Sequence, residues 1–132
     1  LLRRGVDDFL RWDYIGAPWR TDDLWCVGKP HLMEAGNGGL SLRSRAKMLE
    51  TLDRFGYSRG QSEDVFYVEH LPKAGGTLAP RAEATRFAVE SDWAAEYDET
   101  PPLGFHAAYR WLTSEQMLKL LGAVGYAVVD AG

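Results

Sequence analysis

An amphipathic segment between Ser44 and Phe55 is the feature that most constrains how this chain can fold. Its apolar residues Met48, Leu49, Leu52 and Phe55 recur at the spacing of one helical face. The spacing predicts an α-helix, and such a helix is stable in a protein mainly when its apolar face packs against other elements. The fold must therefore supply a layer on which this helix can pack.

Further helices and short strands are predicted in irregular alternation along the chain. Helices are predicted from Ser62 to just before Pro72, at residues 80–86 and from Thr113 to Leu121. Strands are predicted at residues 13–16, around Leu40 and Leu42, at residues 87–89 and at residues 126–129, with a long loop over residues 20–39. This mixture predicts an α/β or α+β fold in a single domain over residues 1–132.

Two of the predicted helices carry capping signals at their starts. Ser62 is a candidate N-cap, and Glu63 and Asp64 follow it in the first turn, where carboxylates favour the helix dipole. Thr113 and Gln116 have the spacing of a capping box. Both signals predict where a helix begins.

The composition excludes several classes of protein. With 45% hydrophobic and 26% charged residues among 132, the chain resembles a globular domain rather than a disordered, collagen-like or coiled-coil protein. No apolar run approaches the roughly 20 residues that cross a bilayer, and the first residues do not resemble a signal peptide. The formal charge of −4 disfavours nucleic acid as a partner, and the single Cys26 cannot form an internal disulfide. We therefore expect a soluble, cytoplasmic protein.

The excess of acidic residues is concentrated in the second half of the chain. Much of it lies in one run: Glu90, Asp92, Glu96, Asp98 and Glu99. The run is interpreted as a solvated acidic loop. The alternative is one wall of a cleft that holds a cation.

A glycine segment, Gly36-Asn37-Gly38-Gly39, is the first feature that could carry chemistry. Glycine permits positive φ and the close approach of another molecule, so exposed amides here could bind a sugar hydroxyl or a phosphate oxygen. The structural alternative is a turn between a loop and a strand. The segment is not a P-loop, because it lacks the terminal Lys-Ser/Thr pair.

Three titratable residues are further candidates. Glu63 and Asp64, ionised at a helix start, would suit a general base or a metal ligand, although they could equally serve the helix dipole. His106 follows a double proline, and a histidine in such a loop can bind a transition metal. A histidine of this kind can also be a hydrogen-bonded structural residue.

Five tryptophans are many for a chain of this length. Most are explained by core packing, but Trp19 and Trp25 lie near the glycine segment. Flat indole rings stack on sugar faces. We therefore consider these two as candidates for binding a sugar.

Taken in order, four of these motifs resemble a single known family. They are residues 13–19 (DYIGAPW), residues 36–45 (GNGGLSLRSR), residues 63–66 (EDVF) and residues 104–106 (GFH). The family is a domain family of unknown function that is regarded as a group of glycosyltransferases. The resemblance covers roughly residues 1–112.

The resemblance implies a GT-A-type, Rossmann-like α/β domain that moves a sugar from a nucleotide-sugar donor to a hydroxyl acceptor with the help of Mn²⁺ or Mg²⁺. GT-A enzymes hold the metal and the donor diphosphate with an Asp-x-Asp motif, which is not found in these 132 residues. By the resemblance, the chain is the downstream, acceptor-side part of a larger catalytic domain.

The resemblance also implies roles for individual residues. Asn37, Gly38 and Gly39 would lie against the donor sugar and the acceptor, with Trp19 as a further substrate contact. Asp64 would be the catalytic base and Glu63 its acceptor-binding partner, with little to separate the two. His106 would complete the metal shell, and Arg43 or Arg45 would offset the diphosphate charge.

Two other interpretations remain at this point: a non-catalytic carbohydrate-binding or interaction module, and a truncated, inactive remnant of an enzyme. The catalytic interpretation makes one spatial prediction. Asn37, Asp64 and His106 must line a common cleft.

Overall fold

The structure is a computed structural model that describes residues 5–20, 22, 28–29, 32, 36–123 and 125. Helices and short strands alternate along these residues in a mixed α/β arrangement, as predicted. The predicted strand at residues 126–129 and most of the predicted loop at residues 20–39 lie outside the described residues.

Two small sheets organise the fold. Strand β1 (Tyr14–Pro18) pairs antiparallel with β2 (Gly36–Arg43), and a bulge interrupts their register between Gly16 and Ala17. Strand β3 (Ala88–Val89) pairs in parallel with β4 (Gly104–Phe105). Strands β1, β2 and β3 are therefore found near the predicted positions, although β1 extends past Gly16 to Pro18, whereas β4 was not predicted.

The glycine segment differs from its prediction, because it forms the start of β2 and is not a turn. None of its three glycines has a positive φ. A Cβ at Gly36 would overlap the backbone of Ala17, and one at Gly16 would overlap the carbonyl oxygen of Asn37. Glycine is required at these two positions by the close approach of two backbones at the bulge.

The helices confirm their predictions to within one or two residues. Helix α1 spans Arg45–Phe55, α2 spans Glu63–His70, α3 spans Arg81–Phe87 and α4 spans Ser114–Ala123. Met48 of α1 is buried, whereas Leu49 is exposed because it lies one helical step, about 100°, from the buried stripe. Within the described residues, no helix combines the length and apolar character that a membrane span requires.

The two predicted caps have different outcomes. Thr113 and Gln116 form a reciprocal capping box at α4, with hydrogen bonds of 2.8 and 3.2 Å between each backbone N–H and the other side-chain oxygen. Ser62 occupies the N-cap position of α2, but its side chain makes no capping hydrogen bond. The first turn of α2 is instead occupied by Glu63 and Asp64.

Strand β1 lies at the centre of the molecule and is buried along its whole length. Tyr14 packs into one hydrophobic cluster with Phe66 of α2, and Ile15 packs into a second with Phe87 of α3. Successive side chains of a strand point to opposite faces, so β1 joins the two clusters. Strand β2 pairs with this buried strand and is itself only partly buried, so it lies between the core and the solvent.

Candidate functional site

The start of β2 contacts the start of helix α2. The backbone N–H of Gly38 donates a hydrogen bond of 3.2 Å to Oδ2 of Asp64. The N–H of Gly39 donates one of 2.7 Å to Oδ1 of Asn37. Both amides are therefore engaged within the protein, which corrects the expectation that they are free to bind a ligand.

Arg43, at the end of β2, forms a two-pronged ion pair with Glu63. Its Nη1 and Nη2 donate hydrogen bonds of 2.6 and 2.9 Å to the two carboxylate oxygens. The guanidinium also lies over the rings of Tyr14 and Tyr67, at 5.0 and 5.7 Å from their centroids. Burial opposes its charge, but the hydrogen bond and the charge of Glu63 raise the pKa of Arg43. The positive charge expected to face a diphosphate is thus already paired with Glu63.

Tyr14 links this ion pair to the core. Its hydroxyl donates a hydrogen bond of 3.1 Å to the carbonyl oxygen of Gly36, and its side chain is fully buried. Burial, more than any nearby charge, raises the pKa of Tyr14 above its ordinary value. Tyr14 therefore remains a neutral hydrogen-bond donor beneath the site.

Glu90 and His106 form a second pair at the ends of two neighbouring strands. Each residue directly follows the last paired residue of its strand, Val89 in β3 and Phe105 in β4. Nδ1 of His106 lies 2.9 Å from Oε2 of Glu90, and Nδ2 of Asn37 donates a hydrogen bond of 3.1 Å to Oε1. The side chain of Glu90 is only 13% exposed, whereas that of His106 is 47% exposed.

Glu90 was not predicted to be a site residue. The carboxyl ends of parallel strands meet at one edge of a sheet, where functional side chains collect, but the pairing of β3 with β4 that places Glu90 at such an edge was not predicted from the sequence. The interpretation of the acidic run as solvated is wrong for Glu90, and it also neglects the ion pairs Asp92–Arg81 at 2.5 Å and Asp98–Lys119 at 2.7 Å.

The ring of His106 packs directly on Gly39. A Cβ at position 39 would overlap Nδ1, Cε1 and Cγ of the imidazole. Glycine is thus needed here so that the ring can approach the strand. A Cβ at Gly38 would crowd the ends of Arg43 and Glu63 in the same way.

These contacts bring four separate parts of the chain to one place, which we call the central site. Its residues are Asn37, Gly38, Gly39, Arg43, Glu63, Asp64, Glu90 and His106. The structure therefore brings Asn37, Asp64 and His106 together, as the catalytic interpretation requires, whereas a common cleft lined by all three stays a prediction.

Trp19 does not join the central site. Its side chain is only 4% exposed and belongs to the same hydrophobic cluster as Tyr14. The expectation that it stacks on a sugar is wrong for this structure, since a buried indole offers no free face. Trp25 lies outside the described residues, and Arg45 is exposed at the start of α1.

A cavity of about 380 Å³ is lined by residues of β1, α3 and the segment after β3, and none of its described lining residues belongs to the central site. Among its lining residues, Pro18 pairs with Gly36 across the first sheet, and Asp92 lies two residues after Glu90. The rest of its polar lining is Arg81, Thr85, Glu96 and Tyr97. This volume is within the range of about 300–1,000 Å³ that is usual for small-molecule sites.

The donor set of the central site fits a metal ion only in part. No group of three or more His, Cys, Asp and Glu side chains suited to a metal ion occurs within the described ranges. His106 has its Nδ1 beside a carboxylate, as metal-binding histidines usually do, and this leaves Nε2 as one possible ligand. The remaining ligands would have to come from a substrate or from other residues.

A family model described as "Protein of unknown function (DUF5672)" matches residues 1–106. The match covers most of the chain and includes every residue of the central site, with His106 as its last position. No curated protein and no solved structure matches the chain.

Proposed function

The chain belongs to the DUF5672 family, and we propose from the geometry of the central site that it takes part in transferring a sugar from a nucleotide-sugar donor to a hydroxyl acceptor. In this proposal it provides the acceptor side of a GT-A-like site. The observation that carries the proposal is the contact of the glycine segment with both Asp64 and His106. These are residue types that activate a hydroxyl and bind a cation.

Asp64 is the proposed catalytic base. The acceptor oxygen forms a bond to the anomeric carbon as the bond from that carbon to the donor diphosphate breaks. The hydroxyl proton passes to a carboxylate oxygen of Asp64, and the electron pair of the broken bond leaves with the diphosphate. A base placed in this way contributes about 10²–10⁴-fold to the rate.

The ion pair of Arg43 distinguishes Asp64 from Glu63 as the base. Both oxygens of Glu63 accept hydrogen bonds from the guanidinium, so protonation of Glu63 would break a two-pronged ion pair. Among the described residues, Asp64 accepts hydrogen bonds from the backbone N–H groups of Gly38 and Val65 alone, and in these two bonds each of its oxygens uses one lone pair. Glu63 then orders the site and contacts the acceptor.

His106 is the proposed metal ligand of this chain. A bound Mn²⁺ or Mg²⁺ would stabilise the negative charge of the departing diphosphate. His106 would bind it through Nε2, the ring nitrogen that does not face Glu90.

Substitution of the base tests the proposal in the complete protein that contains this chain. We expect Asp64→Asn to lower the release of nucleoside diphosphate from a panel of nucleotide sugars by at least about 100-fold. Asp53→Asn, an exposed position on α1, is the matched control and should retain full activity. Full activity of Asp64→Asn, with circular dichroism showing an intact fold, would contradict Asp64 as base.

A carbohydrate-binding function without catalysis is the second candidate. It is favoured by Trp111, which is 53% exposed and follows an exposed Tyr109. Calorimetric titration with UDP and GDP, with and without Mn²⁺, separates the two functions. Nucleotide binding that needs the cation supports transfer, whereas glycan binding that needs neither nucleotide nor cation, and is lost in Trp111→Ala, supports the second candidate.

A further inference from the structure

The orientation of the Asn37 side-chain amide is fixed by the backbone of its own strand. The N–H of Gly39 donates to the side-chain oxygen of Asn37 at 2.7 Å. A reversed amide would place its NH₂ group against this N–H, donor facing donor. The NH₂ group of Asn37 therefore points to Glu90, where it lies 3.1 Å from Oε1.

Glu90 must then accept hydrogen bonds at both of its oxygens. One oxygen receives the amide of Asn37, and the other lies 2.9 Å from Nδ1 of His106. An ionised carboxylate only accepts hydrogen bonds, so the proton of this second bond has to be carried by the histidine. In the neutral imidazole the proton is on Nδ1, and Nε2 has a free lone pair.

We propose that Glu90 is a positioning residue: held by Asn37, it fixes His106 in the Nδ1–H tautomer and leaves Nε2 as the ring nitrogen available to a ligand. The use of Nε2 in sugar transfer rests on the proposed function, whereas the tautomer itself does not. The two claims can therefore fail separately.

The packing of the ring makes the same nitrogen accessible. Nδ1, Cε1 and Cγ are the three atoms nearest to the position that a Cβ of Gly39 would take, and no residue in the described part of the chain hydrogen-bonds to Nε2. The side chain of His106 is about half exposed. A divalent cation or a hydroxyl proton can thus reach Nε2 without displacing Glu90.

The tautomer can be measured directly by NMR of the protein with ¹⁵N-labelled histidine. In the neutral imidazole, the signal of each ring nitrogen reports whether that nitrogen carries a proton. We expect a protonated Nδ1 and an unprotonated Nε2 for His106 of the wild-type protein. An Nε2–H tautomer in the wild-type protein would overturn the proposal without any substitution.

The variant Glu90→Gln tests whether Glu90 is what fixes the Nδ1–H tautomer of His106. A glutamine offers one acceptor and one donor group, so it cannot accept from both Asn37 and His106. We expect the Nδ1–H signature to be lost, while Glu99→Gln, an exposed position in the same acidic run, keeps it. A wild-type tautomer in folded Glu90→Gln would overturn the proposal.

A second variant keeps the test decisive if Glu90→Gln does not fold. Gly39→Ala leaves Glu90 and Asn37 unchanged but forces the ring out of its position. The Nδ1–H signature should again be lost, with Gly122→Ala as a control, since a Cβ there meets nothing within 4 Å. Retention of the signature in Gly39→Ala would contradict the proposal.

Titration with Mn²⁺ distinguishes this inference from the proposed function. If the cation binds at Nε2, it broadens the His106 signals, and Glu90→Gln weakens binding by about 10–100-fold. If Mn²⁺ leaves the signals unchanged while the Nδ1–H tautomer is present and depends on Glu90, the positioning role is supported and the metal part of the proposed function is contradicted.

Discussion

At the scale of single residues, Arg43 shows how one cation can order a site. It joins Glu63, the carbonyl oxygen of Gly38 and two tyrosine rings, with its side chain only 25% exposed. A guanidinium can make a two-pronged bond and stack on a ring, whereas an ammonium group cannot reproduce both contacts. For the ordering of the site, the guanidinium group of Arg43 is therefore more important than its positive charge alone.

We expect Arg43→Lys to lower the free energy of unfolding by about 1 kcal/mol, because it loses the second hydrogen bond and the ring contacts. Arg45→Lys makes the same substitution at an exposed position and should lower the free energy of unfolding by less than about 0.5 kcal/mol. Urea denaturation of the two variants measures the difference. Equal losses of free energy of unfolding in the two variants would show that the ion pair with Glu63 contributes no more to stability than a surface charge does.

Individual site residues differed in how well the sequence predicted them. Asp64 and His106 lie in motifs that carry the family resemblance, so their meeting could be expected. Glu90 was not predicted as a site residue because its partners, Asn37 and His106, are 53 and 16 residues away in the chain. Local patterns of charge do not indicate such contacts. Trp19 was misjudged because its position between a predicted strand and a predicted loop does not reveal burial.

At the scale of elements, the two helix starts offer a matched comparison. Thr113 caps α4 through a reciprocal pair of hydrogen bonds, whereas the side chain of Ser62 makes none at α2. We expect Thr113→Ala to destabilise the protein by about 1 kcal/mol and Ser62→Ala by clearly less. Chemical denaturation gives both values, and amide hydrogen exchange in α4 should rise in Thr113→Ala alone. A larger loss in Ser62→Ala would contradict the assignment of the caps.

Helices were predicted more accurately than strands, because helical spacing is recorded within a few neighbouring residues. The glycine segment illustrates the opposite case. Three glycines in four positions suggest a turn, yet pairing with the buried β1 draws them into a strand. Such pairing depends on residues far away in the chain, so local propensity cannot predict it.

At the scale of the whole molecule, burial of tyrosines predicts how stability changes with alkaline pH. Burial is the main cause that raises the pKa values of Tyr14 and Tyr97 in the folded state. Up to the ordinary tyrosine pKa of about 10, both states keep the phenol proton and stability is unaffected. Above that pH the unfolded chain loses its protons while the folded chain keeps them, so stability falls as pH rises.

We expect each such tyrosine to add about 1.4 kcal/mol per pH unit to this loss of stability. Tyr97→Phe should reduce the slope by that amount above about pH 10, despite losing its hydrogen bond to Thr85. Tyr109→Phe, at a side chain that is 69% exposed, should leave the slope unchanged. Denaturation midpoints between about pH 9 and 11.5 measure both slopes, and identical slopes in all three proteins would contradict the role of burial.

The mixed α/β class was predictable for the molecule as a whole, because predicted helices and strands already alternated in the sequence. The arrangement of the strands and hydrophobic clusters could not be predicted from the sequence. The central position of β1 follows from Tyr14 and Ile15 packing into opposite clusters, and only the three-dimensional pairing with β2 reveals that.

The contact between Asn37 and the pair Glu90–His106 has a consequence for biosynthesis. A ribosome releases residue 37 long before residue 106, so the nascent chain carries the glycine segment and Asp64 for some time without the imidazole that packs on Gly39. The central site is therefore complete only after the last of these segments has emerged and docked.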